Sequence, residues 1–379
     1  MGDPRLTKLA DVLVNYSTRV KKGDLVAIRG DPVAWPAIEA AFIEVLRAGG
    51  NPFYVPQCER VAELMLEHGS DEQIRFLSPL DMQRVEAIDV EIAFWAETNT
   101  KSLSRYPSER LAAKQAARKP YMKRYLERAA TKEVRWVGTL FPTDAFAQDA
   151  EMGLMQYEDF VFRAGLLHLP DPAGAWAQIS QRQQRVRDYL QGKKQVHFRV
   201  PASSGIHDGT DLRVEVGQST WINCDGHENF PDGEVFAGPQ GADGHVNYTF
   251  PAVYYGKEVE GVRLEFKGGK VVNASARKGE DYLIKMLDQD AGARVMGEIA
   301  IGTNYSIREF SRNTLFDEKI GGTFHAAVGA GYPESGSSNE SGLHWDMVCD
   351  LRSGGTIEAD GELFHRDGRF VQAGWPGPD

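Results

Sequence analysis

Two hydrophobic periods divide the chain. In the first half, apolar residues at helical spacing alternate with short, continuous apolar runs. Leu9, Val12, Leu13 and Tyr16 fall on one face of a predicted helix over Leu6–Tyr16. The run Asp24–Arg29 (DLVAIR) shows no alternation and ends at Gly30, which predicts a strand buried on both faces. A helix over Ala34–Ala48 stops at Gly49-Gly50 and leads to a strand over Pro52–Val55. A helix over Val61–Glu67, helical turns over Asp71–Arg84 and a strand over Val90–Trp95 follow. Ser108–Ala130 reads as a long basic helix kinked or broken at Pro120. A strand over Val134–Leu140 and helices over Ala145–Leu166 and Ala175–Leu190 complete the series. Strands alternating with helices predict a parallel sheet covered on both faces.

Around Gln191–Lys194 the pattern changes to short strands and turns. Of 39 glycines, 29 lie from Gly192 onward, and seven of nine histidines begin at His197. Strands are expected over Gln195–Val200, Asp211–Val216 and His245–Phe250. A hairpin is expected over Gly261–Phe266 and Lys270–Ala276, turning at Gly268-Gly269, and one helix over Asp281–Leu287. The fold class is therefore an α/β N-terminal domain over 1–193, with a parallel-type sheet and flanking helices, followed by an α+β C-terminal domain over 194–379. The loops of the second domain carry the candidate chemistry.

Composition narrows the function classes. The formal charge of −11 argues against nucleic acid or an anionic membrane as partner. The three cysteines, Cys58, Cys224 and Cys349, are scattered and form no CxxC pair. Neither a disulfide framework nor a thiolate zinc site is indicated, which fits a reducing cytoplasm. The N-terminus has no signal-peptide core, and no apolar run approaches the ~18 residues of a membrane span.

The densest chemistry lies in Phe316–Asp346, where Asp317, Glu318, His325, Tyr332, His344 and Asp346 stand among glycines. His344 and Asp346 are two residues apart, so a strand would aim both at one ion. His325 lies in an apolar run and Glu298 in another, VMGEIAIG; a buried Glu without a partner is costly, and a metal ion would neutralise it. Alone, each has a plainer reading: exposed polar residues for His344 and Asp346, a satisfied core histidine for His325, the wet face of an edge strand for Glu298, an ordinary turn residue for Glu234 in NFPDGEVFAGP. Taken together, Glu234, Glu298, His325, His344 and Asp346 are too many ligands for one tetrahedral ion and suit two ions sharing a carboxylate. Mixed oxygen and nitrogen donors suit zinc, cobalt or manganese. Glu318 is open to three roles: further ligand, general base, or acid at a helix N-terminus. Tyr332 either donates to a developing oxyanion or packs. Asp225, His227 and Glu228 are possible cleft-lining residues. The remaining histidines, His68, His168, His197, His207, His245 and His365, have no ligand-like company. There is no HExxH, GxSxG or Walker A motif.

The stretches NFPDGEVFAG, GEIAIG, LFDEKIGGTFHAAVGAGYP and SGLHWDM resemble those of family M29, the thermophilic metalloproteases of the aminopeptidase T and aminopeptidase S group. YSTRVKKGDLVAIRG and FPTDAFAQDAEM are similar to N-terminal segments of that family, so the resemblance spans nearly the whole chain. It implies a homodimeric, two-domain metallo-aminopeptidase with a dinuclear centre. A peptide with a free N-terminus would be its substrate, and the first domain would cap the cleft or form the dimer. By motif it places Glu234, Glu298, His325, His344 and Asp346 on the metal positions and Glu318 and Tyr332 on further active-site positions. A related branch of the same fold opens dihydroxypyridine rings with one iron held by two His and an Asp. His325, His344 and Asp346 match that triad; the presence of Glu234 and Glu298 favours the peptidase.

Overall fold

The computed structural model describes residues 3–203, 208–254 and 256–378, so His207 lies outside the described residues. Contacts divide the chain into two units: Met1–Ala173 with Gly226–Pro231, and Gly174–Asp225 with Asp232–Asp379.

The first unit is built on a five-stranded parallel sheet. Its strand order is Asn51–Pro56, Leu25–Gly30, Val90–Trp95, Arg135–Leu140 and Asn229–Phe230. The continuous apolar runs become strands because both faces are covered: Val26, Ala27, Ile28, Val90, Ile92 and Phe94 are all buried. Ala27 packs with Val85, Ile88, Tyr121, Tyr125 and Val134. The expected Ser108–Ala130 helix is two helices, Ser108–Ala117 and Lys119–Ala130. Pro120 sits in the first turn of the second, where its missing N–H has no intrahelical partner to lose. The first helix begins at Pro4 and continues as wider π-helical turns over Val12–Ser17. Among the described residues, no helix is long and apolar enough to cross a membrane.

The second unit holds a two-stranded sheet, Ala252–Tyr254 with Lys257–Val259, and two large antiparallel sheets. One has eight strands, in the order Lys270–Ser275, Arg263–Lys267, Gly241–Asn247, Thr210–Glu215, Gln195–Val200, Thr356–Ala359, Glu362–Arg366 and Arg369–Phe370. The other has five: His344–Asp350, Thr323–Gly329, Met296–Gly302, Glu234–Ala237 and Ile222–Cys224. One apolar core lies between them, with the rings of Phe198 and Phe324 4.4 Å apart.

The division differs from the expected boundary at 193/194. The helix Pro172–Leu190 buries Val186 and Leu190 in the core of the second unit. The change in glycine content marks where strands begin, while contacts change one helix earlier. In the reverse sense, Asn229–Phe230 pairs with Arg135–Leu140 and belongs to the first unit.

Candidate metal centre

Alternation along the five-stranded sheet separates its two faces. Val235, Ile299, Ile301, Phe324, Ala326, Val328, Trp345 and Met347 point into the apolar core. The intervening positions hold Glu234, Glu298, His325, His344 and Asp346. Register aligns these polar positions across four strands. Glu298 is opposite Ala327, which is opposite Asp346. His325 is opposite Ala300, which is opposite Phe236, and Glu234 is opposite Gly302. Alanine or glycine therefore stands beside each of Glu298, Asp346, His325 and Glu234, and the larger side chains can converge above it.

They do converge. His325 Nε2 lies 3.2 Å from Glu298 Oε1, 3.6 Å from Glu234 Oε2 and 3.8 Å from Asp346 Oδ1. His344 Nε2 lies 3.3 Å from Asp346 Oδ2 and 3.8 Å from Glu298 Oε2. The backbone fixes both rings. His325 Nδ1 donates to the Glu318 carbonyl at 3.0 Å, and His344 Nδ1 to the Ala330 carbonyl at 2.7 Å. With Nδ1 donating to a carbonyl, each ring turns its Nε2 toward the carboxylates; a cation that displaced the Nε2 proton would meet the lone pair a metal ligand requires.

The electrostatics call for a cation. Glu234, Glu298, Glu318 and Asp346 converge here with the single ammonium of Lys319. Burial pushes the carboxyls of Glu234, Glu298 and Glu318 upward. Burial acts the same way on Asp346, but the charge and hydrogen bond of His344 hold it well below the usual carboxylate range. Burial lowers His325, yet the hydrogen bond to Glu298 and the surrounding acids raise it to about 10. The charge of Asp346 raises His344 to about 11. In protein terms this is a pocket that attracts protons onto its histidines because it has too few positive charges. Glu234 Oε2 and Asp346 Oδ1 are buried without a hydrogen-bond partner. These orphaned oxygens, the inward-facing Nε2 of both histidines and the excess negative charge fit a divalent ion. Ligand atoms of Glu234, Glu298 and His325 lie within 4.8 Å of one another, as do those of Glu298, His344 and Asp346, and Glu298 belongs to both groups.

Glu318 joins the cluster, its ligand atom within 4.8 Å of those of His325 and Asp346. A cavity of about 20 Å³, roughly the room one water needs, reaches Glu318 and Asp346 between Val253, Phe310, Arg312 and Val348. Tyr332 sits edge-on to His344, ring centroids 5.3 Å apart, and edge-on to Phe236 at 5.5 Å. Burial and the carboxylates of Glu298, Asp346, Glu318 and Glu234 push its ionisation upward, so its hydroxyl remains a donor.

Asp317, part of the same dense stretch, has a different task. Its Oδ1 accepts from the Ser311 amide at 2.7 Å and the Ser311 hydroxyl at 2.9 Å, and burial raises its carboxyl to about 7. It anchors the loop that carries Phe310 and Arg312. The three suggested cleft residues are engaged elsewhere: Asp225 accepts from Ser180, His227 contacts Arg19, and Glu228 pairs with Lys132.

Lys319 and Asp232 were not expected here. Lys319 is fully buried, in contact with Glu318, 3.5 Å from Glu234 Oε1 and 4.0 Å from Asp232 Oδ1. Two cues existed in the sequence: Lys319 follows Glu318 directly, and Asp232 precedes Glu234 by two residues in an apolar turn.

A family model described as thermophilic metalloprotease (M29) matches residues 2–370. Aminopeptidase 2 of Geobacillus stearothermophilus is 26% identical over an alignment of 410 positions that covers 98% of each chain. Aminopeptidase T of Thermus thermophilus is 27% identical, with 96% of this chain and 95% of that one covered. Aminopeptidase PepS of Streptococcus thermophilus is 31% identical over 64% of this chain and 62% of its own. The structure of wild-type AmpT from Thermus thermophilus superposes with a TM-score of 0.84 at 24% identity, covering 97% of this chain and 99% of that one. The 2,5-dihydroxypyridine dioxygenase of Pseudomonas putida superposes with a TM-score of 0.60 at 15% identity, covering 97% and 96%. At these identities the superpositions speak for the fold alone.

Proposed function

The chain belongs to the thermophilic metalloprotease family M29 and is a hydrolase of that class; from this premise we propose that it is an aminopeptidase, removing the N-terminal residue of peptides at a centre of two divalent ions. The observation that carries the two-ion reading is Glu298. It sits between two donor groups, Glu234 with His325 on one side and His344 with Asp346 on the other. A single ion bound by His325, His344 and Asp346 would leave Glu298 buried without a cation of its own and Glu234 with only the Lys319 ammonium, its Oε2 unpaired. That favours the peptidase over the one-iron dioxygenase that shares the fold.

In this reading Glu234, Glu298, His325, His344 and Asp346 would hold the ions, which when bound would supply Lewis acidity and make a water easier to deprotonate. Glu318 borders the small cavity, which supports a role in taking a proton from the attacking water and returning it to the departing amine. Tyr332 keeps its hydroxyl proton and donates it in a hydrogen bond to the oxygen that gains charge as the scissile carbonyl is attacked. The backbone carbonyls of Glu318 and Ala330 keep the two histidines turned inward throughout.

The test strips the protein with a chelator and restores it with zinc, cobalt or manganese. Each preparation is assayed for release of the first residue from a peptide and from its N-acetylated twin, with metal counted per chain. Activity only in the restored protein, only on the free N-terminus, and with two ions per chain is the expected result. Equal activity after stripping refutes the reading. One iron per chain with oxygen uptake on a dihydroxypyridine would replace it with the dioxygenase.

A further inference from the structure

Among the described residues, Lys319 is the only buried lysine, and no step of the reaction above uses it. It enters a second donor group next to the first. Cys224 stands directly opposite Glu234 in the antiparallel pair of Ile222–Cys224 and Glu234–Ala237, which puts both side chains on the site face. Asp232 precedes Glu234 by two residues, and ligand atoms of Cys224, Asp232 and Glu234 lie within 4.8 Å of one another. A thiol and two carboxylates are a competent donor set for zinc or cobalt. The Lys319 ammonium already reaches the two carboxylates of this group.

We propose that Lys319 is a positioning residue: a built-in cation that fills the Cys224, Asp232 and Glu234 donor group and so confines divalent ions to the donors around Glu298. The inference rests on reading Glu234, Glu298, His325, His344 and Asp346 as metal ligands.

Three features support it. An ammonium has three donors and no acceptor, and Lys319 has three carboxylates around it: Glu318, Glu234 and Asp232. The two oxygens of Glu234 are divided between the groups. Oε1 faces Lys319 at 3.5 Å, and Oε2 faces His325 at 3.6 Å with no hydrogen-bond partner. Finally, the backbones of both partners are tied together. The Asn304 amide donates to the Lys319 carbonyl at 3.0 Å, and the Asn304 side-chain amide donates to the Asp232 carbonyl at 2.9 Å. Lys319 is thereby held in place rather than merely attracted. In a water-poor interior, a divalent ion on the same carboxylates would meet strong repulsion from this ammonium.

The experiment titrates Co²⁺ alone into the metal-stripped full-length protein, comparing the parent with Lys319→Met. The expected result is one additional Co²⁺ per chain in Lys319→Met. A thiolate-to-cobalt charge-transfer band should accompany it, absent from the parent and lost again in Lys319→Met combined with Cys224→Ala. Metal-free Lys319→Met should melt below the metal-free parent, and Co²⁺ should close most of that gap, which loss of packing alone would not allow. An unchanged Co²⁺ count without the band overturns the proposal. Cys224→Ala in the parent tests it even if Lys319→Met does not fold: Co²⁺ count and spectrum should match the parent, and loss of an ion or a band would mean that the thiol is already a ligand and Lys319 excludes nothing. A parent that takes up no Co²⁺ overturns the metal reading as well, whereas a parent that binds Co²⁺ beside a variant that gains none overturns only the role of Lys319.

Discussion

His325 and His365 are both fully buried in the second unit, yet their surroundings drive them in opposite directions. Around His325, burial is overcome by Glu298, Glu234 and Asp346, and the ring is raised to about 10. Around His365 there is burial alone, and the ring is lowered to about 3. Neither nitrogen of His365 finds a hydrogen-bond partner, while both nitrogens of His325 do. The two sites show that burial by itself disfavours an imidazolium, and only a converging set of carboxylates reverses it. Where the reversal occurs, the protein has made a place for positive charge, and a metal ion meets that need better than a proton does. His365 is the same side chain used as a packing element, edge-on to Phe370 with ring centroids 4.9 Å apart.

The contrast predicts the largest effect at Glu298. Glu298→Gln removes the carboxylate shared by both donor groups. Activity should fall on the order of 10³–10⁴-fold, about 4–5 kcal/mol of barrier, with about one ion fewer per chain by elemental analysis. The metal-free variant should melt above the metal-free parent, because one charge has been removed from a buried excess of like charge. A metal-free variant that melts lower would mean the carboxylates are already balanced without a metal. On the opposite face of the same sheet, Phe324→Ala should do the reverse. It empties a fully buried position against Phe198 and should cost about 3–5 kcal/mol in denaturant unfolding. The molecules that remain folded should keep their metal count. If instead metal is lost from folded protein, the two faces are not independent.

A smaller effect is expected at His365, and only in acid. Its folded pKa of about 3 lies below the value near 6.5 of an unfolded chain. The contribution to stability is therefore complete above pH 6.5 and is lost as pH falls toward 3. Between pH 7 and pH 5 the loss amounts to about 2 kcal/mol. His365→Leu should remove that share of the slope while leaving stability at pH 7 similar or higher, since two unbonded nitrogens go with it. Parallel pH slopes for variant and parent in denaturant titrations would show that the ring is hydrated or protonated in the folded state.

The same contrast explains how much was readable beforehand. Val90–Trp95 and Gln195–Val200 occupy the expected residues, because their burial patterns are written in local sequence. Glu298, His325, His344 and Asp346, which the fold brings together, stood out as candidates because a polar residue in an apolar strand is costly unless it is used. Lys319 was not, because a lysine beside a glutamate on a turn looks like surface; only the fold shows it fully buried. His365 was hidden for the converse reason. Its strand Glu362–Arg366 was not anticipated, and its burial comes from Phe370 across the next turn and from the neighbouring strand Thr356–Ala359. The return of Asn229–Phe230 to the first sheet was equally hidden, since two residues carry no period. Local pattern reports which residues are unusual, but the partner that makes them so is supplied by long-range pairing.

The smallest expected effect tests whether the acidic neighbourhood of His325 extends to the open side of the site. Tyr332 is 43% exposed overall, yet burial around its hydroxyl, and after it the four carboxylates, push its ionisation upward. It stacks edge-on against His344 and Phe236, and a phenylalanine would keep both ring contacts. Tyr332→Phe therefore removes one hydroxyl and little else. If that hydroxyl donates to charge that appears only as the carbonyl is attacked, kcat should fall about 10-fold with KM unchanged. The partial exposure argues for this modest figure, because water can stand in for part of the lost donor. A change confined to KM would place Tyr332 in ground-state binding of the peptide. No change in either would make it a packing residue that orients His344, and the charge-driven part of the site would then end at the sheet.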